Sequence, residues 1–266
     1  MDNPAISSTY GDASRLSERA PDPPGLLGIL RKAIPIIEWL YGKCSIHGNN
    51  PWYEPAIFSW TAEIERSAPD IQREADALLA ANRPIPGLEV LSAEQRVLST
   101  DGKWKMFFFL TYGVAVERNC ALCPATVAAV RRIPGIITAC YAILDPGKEL
   151  PLHYGPYKGV LRYQLGVRVP RDWRNCAITV AGETRPWREG ESLMFDDTFL
   201  HAAYNRTDQP RLVLFVDFVR PMYFPANLLN RLFLALVKHS GYFREAKRRL
   251  EAWEAAHVPA PGDATG

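Results

Sequence analysis

Two of the five histidines stand where a metal ion could be gripped. His153 lies in LPLHYGPYKGVLRYQLG, just after a turn and before a strand, and His201 lies in LMFDDTFLHAAYNRTD, after a strand and before polar residues. At the mouths of neighbouring strands two imidazoles can converge on one ion, and neutral imidazole suits Fe(II). A single histidine at a strand end is more often a hydrogen-bonded surface residue, so the surroundings must carry the case. Arg211, ten positions beyond His201, opens the apolar strand RLVLFVDF, where a guanidinium could clamp a carboxylate bidentately. Arg162, nine positions beyond His153, offers a second cation near the same cavity, although alone it would read as the partner of a surface acid. Asp196 and Asp197 shortly precede His201, and either could orient an imidazole or serve a loop. A keto acid that chelates a metal at one end and needs a cation at the other would suit this set, and 2-oxoglutarate is such a molecule.

The elements that must position these groups are mostly strands. From Lys103, KWKMFFFLTYGVAV is aromatic and β-branched. Short strands follow at 136–144, 159–169, 176–180, 192–195 and 211–219, separated by turn signals such as Asp145-Pro146-Gly147, Ala181-Gly182-Glu183 and Glu189-Gly190. Regular short strands with such turns predict an antiparallel sandwich or barrel. Helices flank this core. GLLGILRKAIPIIEWLYGK (25–43) predicts an amphipathic helix interrupted by Pro35, packed on the body or lying on a membrane surface. Apolar spacing over 59–82 predicts a helix firm from about Pro69, and CPATVAAVRRIPG (123–135) a short one. Residues 227–257 predict two amphipathic helices broken at Ser240-Gly241.

Composition narrows the class. The chain has 266 residues, 47% hydrophobic and 23% charged, which is ordinary for a globular protein with a real core. A net charge of +2 gives no reason to expect nucleic acid as a partner. Five irregularly spaced cysteines argue against a disulfide framework and for a reducing compartment. Cys120-Ala121-Leu122-Cys123 lacks the second ligand pair a structural zinc site requires. The first twenty residues lack an apolar signal region, and a cytoplasmic location is expected, with peripheral membrane contact through residues 25–43 left open. The basic run Lys247-Arg248-Arg249 would add to such contact or form a solvated face. The organisation expected is a disordered tail over 1–24 and one domain over 25–258. Its core would span about 101–222, with flanking helices in 25–95 and 226–257, and the last nine residues read as a tail.

The segments ILDPGKELPLHYGPYKGVLRYQLGVRVP and ETRPWREGESLMFDDTFLHAAYNRTDQPRLVLFVDFVRP resemble the aspartyl/asparaginyl β-hydroxylase family, which includes bacterial lipid A hydroxylases. The likeness covers roughly Asp101 to Met222. It implies a mainly β fold, a double-stranded β-helix (cupin-like jelly-roll) core, and an enzyme using Fe(II), 2-oxoglutarate and O2. It carries over His153 and His201 as iron ligands and as the catalytic pair, and Arg211 and Arg162 as groups binding the co-substrate carboxylates. Gln164 stands where the family often has histidine and is a further candidate co-substrate contact. Ala142 stands where a serine hydroxyl would assist Arg211.

One position divides the family. Many oxygenases of this chemistry add a carboxylate two positions after the first histidine. Lipid A hydroxylases typically keep an aspartate there, whereas the aspartyl/asparaginyl branch carries His-x-Gly, and this chain has Gly155. LCPATVAAVRRIPGI, GVLRYQLG and VRPMYFPANLLNRLF are nonetheless closer to the lipid hydroxylases. The expected substrate is therefore an amino-acid or peptidyl side chain, or a lipid acyl chain, with Asp197 and Gly155 beside the metal. Halogenation through the position left open at Gly155, and a non-catalytic binding jelly-roll, are the competing readings.

Overall fold

Eleven strands and eight helices are arranged along the chain of a computed structural model, which describes residues 26–91, 96, 98–239 and 241–257. The tails expected at 1–24 and over the last nine residues lie outside the described residues. In order the elements are α1 (Leu26–Cys44), β1 (Trp52–Tyr53), α2 (Thr61–Arg66), α3 (Ala68–Ala80), α4 (Leu88–Leu91), β2 (Trp104–Thr111), β3 (Val114–Ala115), α5 (Glu117–Leu122) and α6 (Pro124–Val130). Then come β4 (Ile136–Leu144), β5 (Glu149–His153), β6 (Val160–Arg168), β7 (Cys176–Val180), β8 (Glu183–Pro186), β9 (Ser192–Phe195), β10 (His201–Asn205), β11 (Arg211–Val219), α7 (Ala226–Lys238) and α8 (Gly241–His257).

The strands form two antiparallel sheets. The larger runs β1-β9-β6-β11-β4-β2-β3 and the smaller β5-β10-β7-β8. The three central strands of the large sheet are buried on both faces, which is why their sequences are nearly continuous apolar runs. Side chains alternate across a strand. Leu212, Leu214, Val216 and Phe218 of β11 join Leu161, Tyr163 and Leu165 of β6 in a core shared with Ile64, Ile71 and Val127 of the covering helices. Val213 and Phe215 point the other way, into a second core with Cys140 and Ala142 of β4, Cys176 and Ile178 of β7, and Ala203 of β10. The fold is thus a mainly β antiparallel sandwich, as the strand pattern predicts, with the jelly-roll core that the resemblance implies and flanking helices.

Of three local features with physical reasons, only the first departs from the sequence expectation. Helix α1 runs through Pro35 instead of stopping there. Its far end is held by tertiary packing, where Tyr41 is buried with Met222 and Ala226. The helical stretch around Pro69 divides at Ser67, leaving Pro69 in the first turn of α3, where its missing N–H costs nothing. The run Lys247-Arg248-Arg249 is paired within its own helix to Glu245 and Glu251.

A buried ion cluster ties the ends of the central strands β6 and β11 to the loop before β10. Asp196 and Arg220 are both fully buried and paired, and Lys158 Nζ lies 2.8 Å from the same carboxylate. Arg220 also donates to the Lys158 carbonyl (2.7 Å) and the Tyr53 hydroxyl (3.0 Å). Asp196 is therefore structural and orients neither imidazole. Removing one partner strands a buried charge, so Asp196→Ala should cost about 3–5 kcal/mol. Thermal unfolding would read this as a fall of at least about 6 °C in Tm. Burial by itself would raise the Asp196 pKa, but Arg220 and Lys158 hold it below the ordinary 3.8. A depressed carboxylate stabilises the fold above its unfolded pKa. This contribution should be lost as the pH falls from 3.8 through the folded value, and the variant should lack that acid limb.

Candidate active site

The two histidines become neighbours through strand pairing. His153 ends β5 and His201 begins β10, and the antiparallel register sets them directly opposite one another. Opposed residues on one sheet face approach closely, and here the ring centroids are 4.0 Å apart. Neither strand was legible as a strand: ELPLH and HAAYN are short and poor in alternating apolar residues.

Their tautomers follow from the backbone. His153 Nδ1 lies 2.8 Å from the Pro151 carbonyl and His201 Nδ1 2.9 Å from that of Phe199. A carbonyl only accepts, so each Nδ1 carries the proton and each Nε2 keeps its lone pair. Burial lowers both pKa values, and His201, with the His153 ring and Arg162 also opposing its charge, is pushed down to about 3. Two neutral imidazoles with free Nε2 lone pairs are a donor set suited to a divalent metal. Among the described residues no cluster of three His, Cys, Asp or Glu forms a fuller ligand set.

The inward alternation of the large sheet supplies the rest. Arg162 of β6 stands opposite Asp217 of β11 in register and donates to both its oxygens, at 2.9 and 3.2 Å. The Nη2 that reaches Asp217 Oδ2 also lies 2.8 Å from Asp197 Oδ2. Arg162 thus faces the cavity with its charge already met by two acids. Arg211 is the opposite case. It is 3% exposed, yet no carboxylate pairs with it among the described residues, and its Nε has no hydrogen-bond partner. Its guanidinium lies over the Trp187 ring at 4.2 Å, makes a long contact, 3.4 Å, to the Ala142 carbonyl and meets the Cys176 thiol. Burial pushes its pKa down to about 10. A buried cation without a counter-ion is costly and marks a place for an anion. Gln164 accepts from Trp187 Nε1 at 2.8 Å, so its carbonyl holds the ring on which Arg211 rests. Arg211, Gln164, Trp187, His153 and His201 line one narrow chamber of about 30 Å³ between the sheets.

Gly155 and Asp197 occupy one another's space. A Cβ on Gly155 would fall 2.2 Å from Asp197 Cγ, and Gly155 N–H donates to the Asp197 carbonyl at 2.6 Å. The volume a side chain at position 155 would need is filled by the Asp197 carboxylate, whose Oδ1 is buried and unpartnered. Burial raises its pKa against the opposing effect of Arg162. Gly155→Ala should therefore cost about 1–3 kcal/mol by overpacking. Adding Asp197→Ala should recover at least half of that loss, a coupling measurable by a double-mutant cycle in denaturant.

Outside the histidines a larger cavity of about 390 Å³ opens, walled by Leu88, Leu91, Leu98, Met106, Phe108 and Val116, with Leu250 of α8 at its rim. Three functional side chains escape sequence reading. Asp217 is signalled only by an acid in an apolar strand, Trp187 by an aromatic near a turn, and Cys176, which interacts with Arg211, by nothing.

The fold and this pair of facing imidazoles define a jelly-roll protein with a two-histidine site. The chain belongs to the aspartyl/asparaginyl β-hydroxylase family, whose model matches residues 65–221. It is 39% identical over 255 residues to an ornithine lipid ester-linked acyl 2-hydroxylase of Rhizobium tropici, covering 95% of this chain and 89% of that one. It is 30% identical over 177 residues to the human aspartyl/asparaginyl beta-hydroxylase, covering 64% of this chain but only 23% of that much longer protein. Among solved structures, a cupin 2 conserved barrel domain protein from Salinispora arenicola aligns at 11% identity and a TM-score of 0.31, covering 51% of this chain and 88% of that one.

Proposed function

We propose that this chain is an Fe(II)- and 2-oxoglutarate-dependent dioxygenase that hydroxylates an unactivated C–H bond of a lipid acyl chain. The observation that carries the chemistry is the buried Arg211, with no carboxylate beside it among the described residues, in one chamber with two imidazoles whose Nδ1 atoms are each turned to a backbone carbonyl. His153 and His201 would hold the iron. When bound, the iron with O2 and 2-oxoglutarate would supply the oxidant, the keto acid losing CO2 to give succinate while one oxygen atom enters the substrate bond.

The protein's share is orientation and exclusion of water. Arg211, held flat on Trp187 by Gln164, receives the distal carboxylate of the keto acid as a bidentate donor. The chamber is narrow, so the keto acid has to widen it by side-chain rotation. Arg162, already balanced by Asp217 and Asp197, serves the near end of the co-substrate as a local positive field and fixes Asp197. The unpartnered Asp197 oxygen offers an acceptor beside the imidazoles, for a water or a substrate group. Because its carboxylate fills the volume beside Gly155, like-charge repulsion disfavours chloride there, and halogenation has no support from this geometry.

The acyl reading rests on the apolar wall of the outer cavity and on similarity to the Rhizobium enzyme along nearly the whole chain. Anaerobic Fe(II) titration with 2-oxoglutarate tests the chemistry. A metal-to-ligand charge-transfer absorption, with succinate formed on admitting O2, is expected; absence of both would favour a non-catalytic binding protein. Comparing lipid extracts from cells carrying wild type or His153→Ala tests the substrate. A gain of one oxygen on an acyl chain is expected with wild type alone, and a gain on a soluble amino-acid or peptide side chain would move the substrate to the other branch.

A further inference from the structure

Apolar residues left in water are concentrated on one part of this protein. Of the fifteen large hydrophobic side chains that are exposed among the described residues, ten belong to α1, α7 and the turn entering α7. On α1 they are Ile36, Ile37 and Trp39, in the turn Tyr223 and Phe224, and on α7 a run that includes Leu228, Leu232 and Leu236. Trp39 is 63% exposed, Phe224 77% and Leu236 72%. Helix α7 already buries Ala226, Asn230 and Leu234 against the body, at i, i+4 and i+8. It is therefore apolar on its outer face as well as its inner one. A run of apolar residues on the outer face of a helix suits a partner surface or lipid, and α7 packs on α1, whose exposed apolar residues extend the patch.

The charge along the turn and α7 is of one sign, and Glu38 is the single acid of α1. From Phe218 to Arg244 there is no acidic residue, while Arg231 and Lys238 of α7 and Lys43 of α1 are exposed. Exposed aromatics beside basic residues suit the headgroup boundary of a bilayer, and the basic residues attract its anionic lipids. A second copy of this chain fits less well, because a two-fold contact would bring the same basic rims together. No helix among the described residues is long and apolar enough to cross a membrane, so contact would be lateral.

The face also adjoins the site. Two residues beyond Gly155, Tyr157 stacks on Phe233 of α7 at 4.7 Å, meets Tyr41 of α1 edge-on at 6.1 Å, and donates to Asn230 Oδ1 at 2.6 Å. The segment that carries His153, Tyr154 and Pro156 along the outer cavity is thereby anchored between the two helices.

We propose that the outer face of α1 and α7, with the Tyr223-Phe224 turn, docks on an anionic lipid bilayer and holds the cavity mouth near its acyl chains. The proposal deepens the lipid reading above, but docking can be measured without turnover. The full chain is floated with vesicles of equal phosphatidylglycerol and phosphatidylcholine, and with phosphatidylcholine alone. Wild type is expected to float with the anionic vesicles, and to float less as salt rises and the Debye length shortens. Each large side chain withdrawn from lipid is worth up to about tenfold. The triple variant Trp39→Ser, Phe224→Ser, Leu236→Ser should then lose about 100-fold or more in partition while keeping the wild-type Tm. A second variant, Arg231→Glu with Lys238→Glu, touches no apolar contact and should lose the preference for anionic over neutral vesicles.

Failure of wild type to float, or equal flotation of the triple variant, overturns the proposal. So does a wild-type dimer that the triple variant makes monomeric, which assigns the face to a second copy. Flotation that appears only after residues 1–25 are removed assigns it to that segment instead. Vesicle binding without acyl hydroxylation leaves docking standing and removes the lipid-substrate reading. Turnover of detergent-dispersed lipid by a chain that ignores vesicles does the reverse.

Discussion

Arg211→Met should lower the affinity for 2-oxoglutarate by about 30-fold or more, because truncating one member of a buried charge pair costs about 2–5 kcal/mol. The same substitution should leave the ligand-free protein as stable as wild type, or more so. Arg211 is buried with no carboxylate beside it among the described residues, and replacing an uncompensated charge by an apolar chain removes a desolvation cost. This opposite sign separates a binding role from a structural one. Differential scanning fluorimetry reads both quantities. Added 2-oxoglutarate should raise the Tm of wild type in the presence of Fe(II), as a ligand selective for the native state must, and should raise that of the variant by less at the same concentration. Arg211→Lys should recover only part of the affinity, since an ammonium cannot reproduce the planar fork or the stacking on Trp187. A destabilised ligand-free Arg211→Met with unchanged keto-acid affinity would sink the assignment.

His153→Ala and His201→Ala should each abolish iron retention and lower succinate formation by at least about 100-fold. Substituting only an outer partner of a metal ligand already costs about 10- to 100-fold, and here one of the two proposed ligands is removed. Metal content after desalting and substrate-dependent succinate release are the measurements. The two single variants and the double variant should be nearly equal in activity, because groups acting as a unit are grossly non-additive. His153 is paired in register with His201 at the end of β5, so far-ultraviolet circular dichroism should show both variants folded. Wild-type iron content in either one would remove its imidazole from the metal site.

Much of this was legible in the chain because it depends on local pattern. The long strands β4, β6 and β11 are doubly buried and therefore spelled as unbroken apolar runs. A charged residue inside such a run, as Arg211 and Arg162 are, must face something polar, which made both visible as site candidates. The strands carrying the histidines had no such spelling. They hold together through pairing across the small sheet, in which β10 lies between β5 and β7, and long-range pairing leaves little trace in five residues.

The sequence alone determined the class of donors, two imidazoles and two guanidinium groups, and the jelly-roll that would carry them. It also placed a glycine after the first histidine. Only the tertiary structure decided which cation was free. Asp217 and Asp197 reach Arg162 across strands and loops, while Arg211 meets a tryptophan and, among the described residues, no acid. It likewise decided what Gly155 is for: its missing Cβ makes room for a carboxylate from 42 positions further along the chain. Charge balance and close approach are properties of pairs brought together by folding, and a pair distant in sequence has no local signature.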